Sequence, residues 1–248
     1  MRQPLVTSHA ACKGHAPENT LPGIEAALRI GADAIEIDVH CTSDGVPVLI
    51  HDETVDRTTD GSGNVHDMPL SVVRALDAGA RQFAPKFEGT RIPTLAEVLD
   101  LTNGKALLQI EIKQTGIEEQ VARVVRDAGA VASCEVHSFW PQVVKAARQT
   151  EPRMAAALLT DGRRIVDWDD FFGFALSINA QGVSVYYAFA TPQIVRQGQL
   201  RSLTFMTWTV DDENDMAAMC DAGVDSICSN FPDLVRRTVE SRTPTPRR

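Results

Sequence analysis

The sequence predicts an α/β fold, a (β/α)8 TIM barrel with a small insertion after the second strand. Three observations carry this expectation. Short apolar runs alternate with helical patterns along the whole chain, giving about eight βα units. The length of 248 residues is close to that of one such barrel. The turn after the first strand holds one glycine, Gly14, and no Gly-x-Gly-x-x-Gly, which argues against the doubly wound open sheet.

The elements follow in order. Residues 5–9 read as a strand, and 21–30 as a helix with Pro22 in its first turn. Strand 34–39 comes next, then a short strand at 46–51 after the Asp44-Gly45 turn. From residue 52 to 91 the rhythm breaks. This stretch is rich in Thr, Asp, Gly and Pro, has one helical segment at 70–78, and reads as an insertion above a barrel loop. The alternation resumes with helix 95–101, strand 106–113, helix 117–127, strand 132–138 and helix 142–149. It closes with strand 154–160, helix 169–178, strand 182–186, helix 192–200, strand 203–210, helix 212–222, strand 226–229 and helix 232–241. No repeat or linker is visible, so residues 1–248 are expected to form one barrel domain with its insertion at about 52–92. The tail 241–248 reads as a frayed terminus.

Composition narrows the function. A hydrophobic fraction of 44% supports a packed core. A net charge of −9 argues against sequence-independent nucleic-acid binding, which needs clustered Lys and Arg. A small anionic substrate remains compatible, because a bound cation dominates the field of its own pocket. Cys12, Cys41, Cys134, Cys220 and Cys228 are odd in number and form no Cys-x-x-Cys, so neither a zinc finger nor a disulfide scaffold is expected. Free thiols suit the cytoplasm. No apolar run approaches a membrane span, and the first strand starts too early for a cleavable leader ahead of it. Oligomeric state is not readable.

The chemistry is placed by strand ends, since the carboxyl ends of barrel strands face the active site. His9 ends the first strand. Glu36 and Asp38 lie two apart on the second, so they share one side. Glu111 and Lys113 repeat this on the next long strand, while Ile35, Ile37, Ile110 and Ile112 take the opposite face. Three confined carboxylates raise one another's pKa unless a cation relieves them, and oxygen ligands suit Mg²⁺ or Ca²⁺, with Mn²⁺ also accommodated. The alternative is a buried ion-pair network using Lys113 or Lys13; spacing alone weighs the two equally. His51, next to Asp52, also ends a strand. Two imidazoles beside one cation match phosphodiester cleavage, one accepting the nucleophile's proton and the other protonating the leaving alkoxide. Lys113 would stabilise charge on the phosphoryl oxygens. His15, His40, His66 and His137 read as structural, although His137 ends a strand within reach. Cys12 reads as an incidental loop residue. Trp208 reads as core or as a wall of the substrate pocket.

These residues resemble the glycerophosphodiester phosphodiesterase family. The resemblance rests on Pro17-Glu18-Asn19-Thr20, Glu36-Ile37-Asp38-Val39, Thr42-Ser43-Asp44-Gly45-Val46-Pro47-Val48 and His51-Asp52. It continues through Asp56-Arg57-Thr58-Thr59-Asp60-Gly61-Ser62-Gly63, Arg91-Ile92-Pro93-Thr94-Leu95 and Ile110-Glu111-Ile112-Lys113. It ends with Thr207-Trp208-Thr209-Val210 and Asn230-Phe231-Pro232-Asp233. The resemblance implies a TIM barrel with a metal on Glu36, Asp38 and Glu111, and His9 and His51 as the acid–base pair. It further implies attack by the substrate's neighbouring hydroxyl, a cyclic phosphate opened by water, and release of an alcohol and a phosphomonoester such as glycerol 3-phosphate.

One departure stands out. The family has His-Arg-Gly where this chain has His9-Ala10-Ala11, so the guanidinium fork expected on phosphate is missing. Lys13 is the candidate to supply that charge from another angle. A second frame, Cys12-Lys13-Gly14, loses the histidine and shortens the loop. The other readings are a hydrolase or cyclising lyase acting on a sugar phosphodiester or lysolipid, and a non-catalytic phosphate-binding barrel. The full set of His9, His51, Glu36, Asp38 and Glu111 argues against the last.

Overall fold

A computed structural model describes residues 3–242; the expected frayed tail lies, from residue 243 onward, outside the described residues. In chain order the elements are β1 (Leu5–Ser8), α1 (Leu21–Ile30), β2 (Ala34–Cys41), β3 (Pro47–Leu49), α2 (Leu70–Val73) and α3 (Leu95–Thr102). Then come β4 (Leu107–Ile112), α4 (Glu118–Asp127), β5 (Cys134–Ser138), α5 (Pro141–Thr150), β6 (Ala155–Thr160) and α6 (Trp168–Ser177). The rest are β7 (Gly182–Tyr186), α7 (Pro192–Leu200), β8 (Thr204–Trp208), α8 (Glu213–Ala222), β9 (Ser226–Ser229) and α9 (Pro232–Ser241).

All strands but β3 run parallel in a ring, and β1 closes it by pairing with both β9 and β2. Closure removes the open-sheet alternative. The alternation on each strand explains why the ring is stable. On β4, Leu108, Ile110 and Ile112 belong to the apolar layer shared with Val121 and Val125 of α4, while Gln109 and Glu111 take the other face. Burying one such aliphatic side chain contributes about 1.5–3 kcal/mol. The helices start where the sequence caps them. Thr20 accepts from Gly23 N at the head of α1, and Thr94 forms a capping box with Glu97 at the head of α3.

The insertion departs most from expectation. Strand β3 is cut to three residues because it runs antiparallel to β2 only from Val39↔Leu49 to Cys41↔Pro47. It leaves the ladder just before His51. The helical stretch expected at 70–78 ends at Val73, because the backbone N–H of Ala78 is drawn to Thr90 O and Asp77 accepts from Gly79 N and Gly89 N. The insertion has its own small apolar cluster, in which Val55, Val65, Val73 and Ala78 pack with Val48, Ile50 and Ile92. No helix among the described residues is long and apolar enough to cross a membrane.

Candidate active site

Strand register brings the acidic residues together. Asp38 on β2 lies beside Glu111 on β4, and with Glu36 they offer ligand oxygens that all lie within 4.8 Å of one another. All three are buried. Asp38 is held by Asn19, whose Nδ2 donates to Oδ2 at 2.7 Å and whose Oδ1 accepts from Asp38 N at 3.0 Å. Lys113 Nζ lies 2.8 Å from Glu111 Oε1 and 3.4 Å from Asp38 Oδ1. Glu36 Oε2 accepts from Ala10 N at 2.8 Å, but its buried Oε1 has no partner.

The electrostatics follow from this crowding. Burial, and then the charges of Asp38 and Glu111, push Glu36 well above the ordinary carboxyl range. Burial also raises Glu111, against the opposing pull of Lys113. Burial works against the charge of Lys113, yet Asp38 and Glu111 hold its pKa above the usual value. One ammonium therefore serves three carboxylates, and an oxygen is left over. Both readings of the cluster hold in part: an ion pair exists, and the donor set still fits a hard divalent cation.

His9 is oriented by an amide. Its Nδ1 lies 2.8 Å from Asn230 Oδ1. Asn230 cannot turn round, because Asp211 accepts from its Nδ2 at 2.6 Å and from its backbone N at 2.9 Å. Nδ1 of His9 is thus the donor, and Nε2 is left open, 3.9 Å from Glu36 Oε2. The loop after His9 is bent tightly to allow this. Ala10 and Ala11 adopt φ of 44° and 68°, in the left-handed region that costs a non-glycine residue about 1–2 kcal/mol. The family's glycine at position 11 suits that conformation. Gly14 packs so closely that a Cβ would stand 2.4 Å from Asn230 O.

His51 is oriented by a carboxylate. Its Nδ1 lies 2.7 Å from Asp52 Oδ1, and its Nε2 lies 3.2 Å from Lys113 Nζ. An ammonium only donates, so Nε2 accepts and Nδ1 donates to Asp52. Hydrogen bonds from Arg57 hold the Asp52 carboxyl down at about 2.

One cavity of about 210 Å³ is lined by His9, Glu36, His51, Glu111, Lys113 and Trp208 together with other residues. Trp208 is placed on the wall of this cavity; its indole N–H donates to Ser184 O at 3.1 Å, and its ring meets Phe139 edge-on at 5.4 Å. Lys13 is not brought there. Its Nζ pairs with Glu18 Oε2 at 2.8 Å, because Glu18 is a buried carboxylate that needs counter-charge. Among the described residues, the expected substitute for the missing arginine is therefore committed elsewhere. Cys12 is fully buried, and burial pushes its thiol up, away from the thiolate form that nucleophilic chemistry needs. His15 pairs with Asp233.

His137, a strand-end residue expected to be structural but within reach of the site, lines the cavity beside Glu111, with Glu135 Oε1 on its Nε2 at 2.5 Å. Sequence reasoning also missed Asn230, Asp211 and Arg57. The strand-end rule signals the first two, which directly follow β9 and closely follow β8. For Arg57 no spacing signal exists.

A closed parallel barrel whose cavity is lined by clustered carboxylates and two oriented imidazoles defines the class, a barrel of the kind that carries its site at the strand ends. The family model described as "Glycerophosphoryl diester phosphodiesterase family" matches residues 9–234. The chain belongs to this family of hydrolytic enzymes. It is 36% identical to the glycerophosphodiester phosphodiesterase of Caldanaerobacter subterraneus, covering 93% of this chain and 96% of that one. It is similar to the solved glycerophosphodiester phosphodiesterase of Agrobacterium tumefaciens, with 30% identity, a TM-score of 0.84, and coverage of 94% and 99% of the two chains. A phosphodiesterase of Oleispira antarctica, solved in complex with the product sn-glycerol-3-phosphate, superposes with a TM-score of 0.86 at 25% identity, covering 96% and 97%.

Proposed function

We propose that this chain hydrolyses a small glycerophosphodiester to an alcohol and a phosphomonoester of the glycerol 3-phosphate type. The observation that carries this reading is that His9 and His51, each with Nδ1 engaged, line the same cavity as Glu36, Glu111 and Lys113. The names of the relatives support the substrate class.

Glu36, Asp38 and Glu111 would hold a divalent cation, Mg²⁺ or Ca²⁺, with Mn²⁺ also suited; the unpartnered Glu36 Oε1 supports this fit. When bound, the cation supplies Lewis acidity toward the phosphoryl oxygens. One histidine accepts at Nε2 the proton of the attacking hydroxyl, and the other protonates the leaving alkoxide. The substrate's neighbouring hydroxyl is the first nucleophile, and water then opens the cyclic phosphate. Lys113 neutralises charge on a non-bridging oxygen, and Trp208 walls the site. Residues 1–248 act as one barrel domain with its insertion at about 52–92. Five free thiols support the cytoplasm as its place of action.

The test is turnover of a glycerophosphodiester with each cation, followed by phosphorus NMR of the products. The reading predicts a phosphomonoester and losses of about 10²–10⁴ in kcat for His9→Ala and His51→Ala. Full activity in both variants, or no turnover with any cation, would sink it.

A further inference from the structure

Arg57, in the insertion, connects the segment that carries His51 to the loop that follows His9. Its Nε lies 2.6 Å from Asp52 Oδ2 and its Nη2 3.0 Å from Asp52 Oδ1, so one fork grips both oxygens. The same Nη2 lies 2.6 Å from Glu18 Oε1. Glu18 is itself anchored. Gln82 Nε2 and Lys13 Nζ hold its other oxygen at 3.1 and 2.8 Å, and its backbone N–H donates to Gln82 Oε1 at 2.9 Å. The far end of the chain is the imidazole, since Asp52 Oδ1 accepts from His51 Nδ1.

This geometry does something specific to Asp52. The residue follows His51 directly, on a segment outside any strand, and its side chain is 31% exposed. Left alone, its carboxylate would rotate freely and hold the ring only part of the time. A planar guanidinium bound to both oxygens removes that rotation, and a buried carboxylate at its back fixes the guanidinium. An ammonium cannot do the same, because it is a point charge without a fork. As a plain surface ion pair, the contact would add little to stability, because Arg57 is well exposed.

We propose that Arg57 is a positioning residue: through Asp52, with Glu18 as its anchor, it holds His51 in the Nδ1–H tautomer with Nε2 facing the cavity. The proposal rests on the reading of His51 as one of the acid–base pair.

The experiment compares the full chain with Arg57→Met, Arg57→Lys and His51→Ala, using a glycerophosphodiester with Mg²⁺. It reads kcat and KM, and the imidazole ¹⁵N NMR signals of His51. Arg57→Met should lower kcat by about 10- to 100-fold with KM within about twofold, in the range of lost orienting contacts. The hydrogen-bonded Nδ1–H signature of His51 should weaken in parallel. Arg57→Lys should recover only part of kcat. A kcat within twofold of the parent in a folded Arg57→Met overturns the proposal, and so does a loss of kcat that leaves the His51 signature unchanged. If Arg57→Met does not fold, Arg57→Lys carries the same comparison, and parent-like kcat there overturns it. His51→Ala separates the two claims. Parent-like turnover in that variant defeats the acid–base reading itself, whereas its inactivity beside an active Arg57→Met defeats only the role of Arg57.

Discussion

His9 and Asn230 form a donor–acceptor pair of fixed sense: the ring Nδ1 sits 2.8 Å from the amide oxygen, and Asp211 holds the amide nitrogen at 2.6 Å. The imidazole is therefore held by a neutral group, while His51 is held by a charged one, Asp52. The two histidines arrive from different parts of the chain but end with the same tautomer, Nδ1 engaged at each, with Nε2 of His9 open and Nε2 of His51 accepting from Lys113.

Asn230→Ala should lower kcat by about 10- to 100-fold, because the ring loses the partner that selects its tautomer. Asp211→Asn should cost less, since the amide of Asn230 can still face His9 in one of two orientations. Neither residue touches the triad, so the cation needed for half-maximal activity should not move. Steady-state kinetics with a cation titration checks both statements.

Removing the cation should abolish turnover, and adding Mg²⁺, Ca²⁺ or Mn²⁺ back should restore it to differing extents. Burial pushes the pKa of Glu36 and of Glu111 up, so the cation-free protein holds protons there more tightly than an ordinary carboxyl does. A carboxyl with a raised folded pKa stabilises the fold below its unfolded value, and that contribution is lost as pH rises through the folded value. Cation binding must expel those protons. The rise in Tm on adding cation should therefore be larger at pH 8 than at pH 5, and Glu36→Gln should abolish most of it. Thermal unfolding at the two pH values measures this.

Asp52 and Glu18 have the opposite sign. Arg57 draws Asp52 down to about 2; against the effect of burial, Arg57 and Lys13 draw Glu18 down to about 2 as well. Such groups stabilise the fold above their unfolded pKa, and the contribution fades as pH falls toward 2. Arg57→Met should thus flatten the acid limb of the stability curve between about pH 4 and pH 2, where the parent loses stability. Chemical denaturation across that range would reveal an unchanged slope if the linkage were absent.

The parts legible in the sequence share a physical cause. Alternation along a strand is local, so Glu36, Asp38 and Glu111 are readable as one inward set, and so is the apolar layer of Ile35, Ile37, Ile110 and Ile112. The ring follows because helices of suitable length separate the strands. What depends on closure is not local. His9 and Asn230 stand at opposite ends of the chain and meet only because β1 pairs with β9. Helix α2 stops at Val73, short of the stretch 70–78 that the apolar spacing predicts, because that spacing carries no sign of the pull from Thr90. Lys13 has the right charge and the right loop. Its partner, however, is set by the burial of Glu18, which depends on Gln82 and Arg57 in an insertion without a readable pattern.

The missing arginine can be located by comparing two lysines. Lys13 Nζ is tied to Glu18 and does not line the cavity, whereas Lys113 Nζ lies in it, between Glu111 and the Nε2 of His51. Charge-assisted hydrogen bonds of this kind contribute about 1.5–3 kcal/mol each, which is roughly 10- to 150-fold in kcat/KM. Lys113→Met should fall in that range or beyond, since it also leaves Glu111 without its ammonium. Lys13→Met should change kcat/KM by less than about threefold while lowering stability modestly through Glu18. A large rise in KM for Lys13→Met, with Lys113→Met mild, would show that the phosphate is gripped from the β1–α1 loop after all. Kinetics on the two single variants decide between these sides of the cavity.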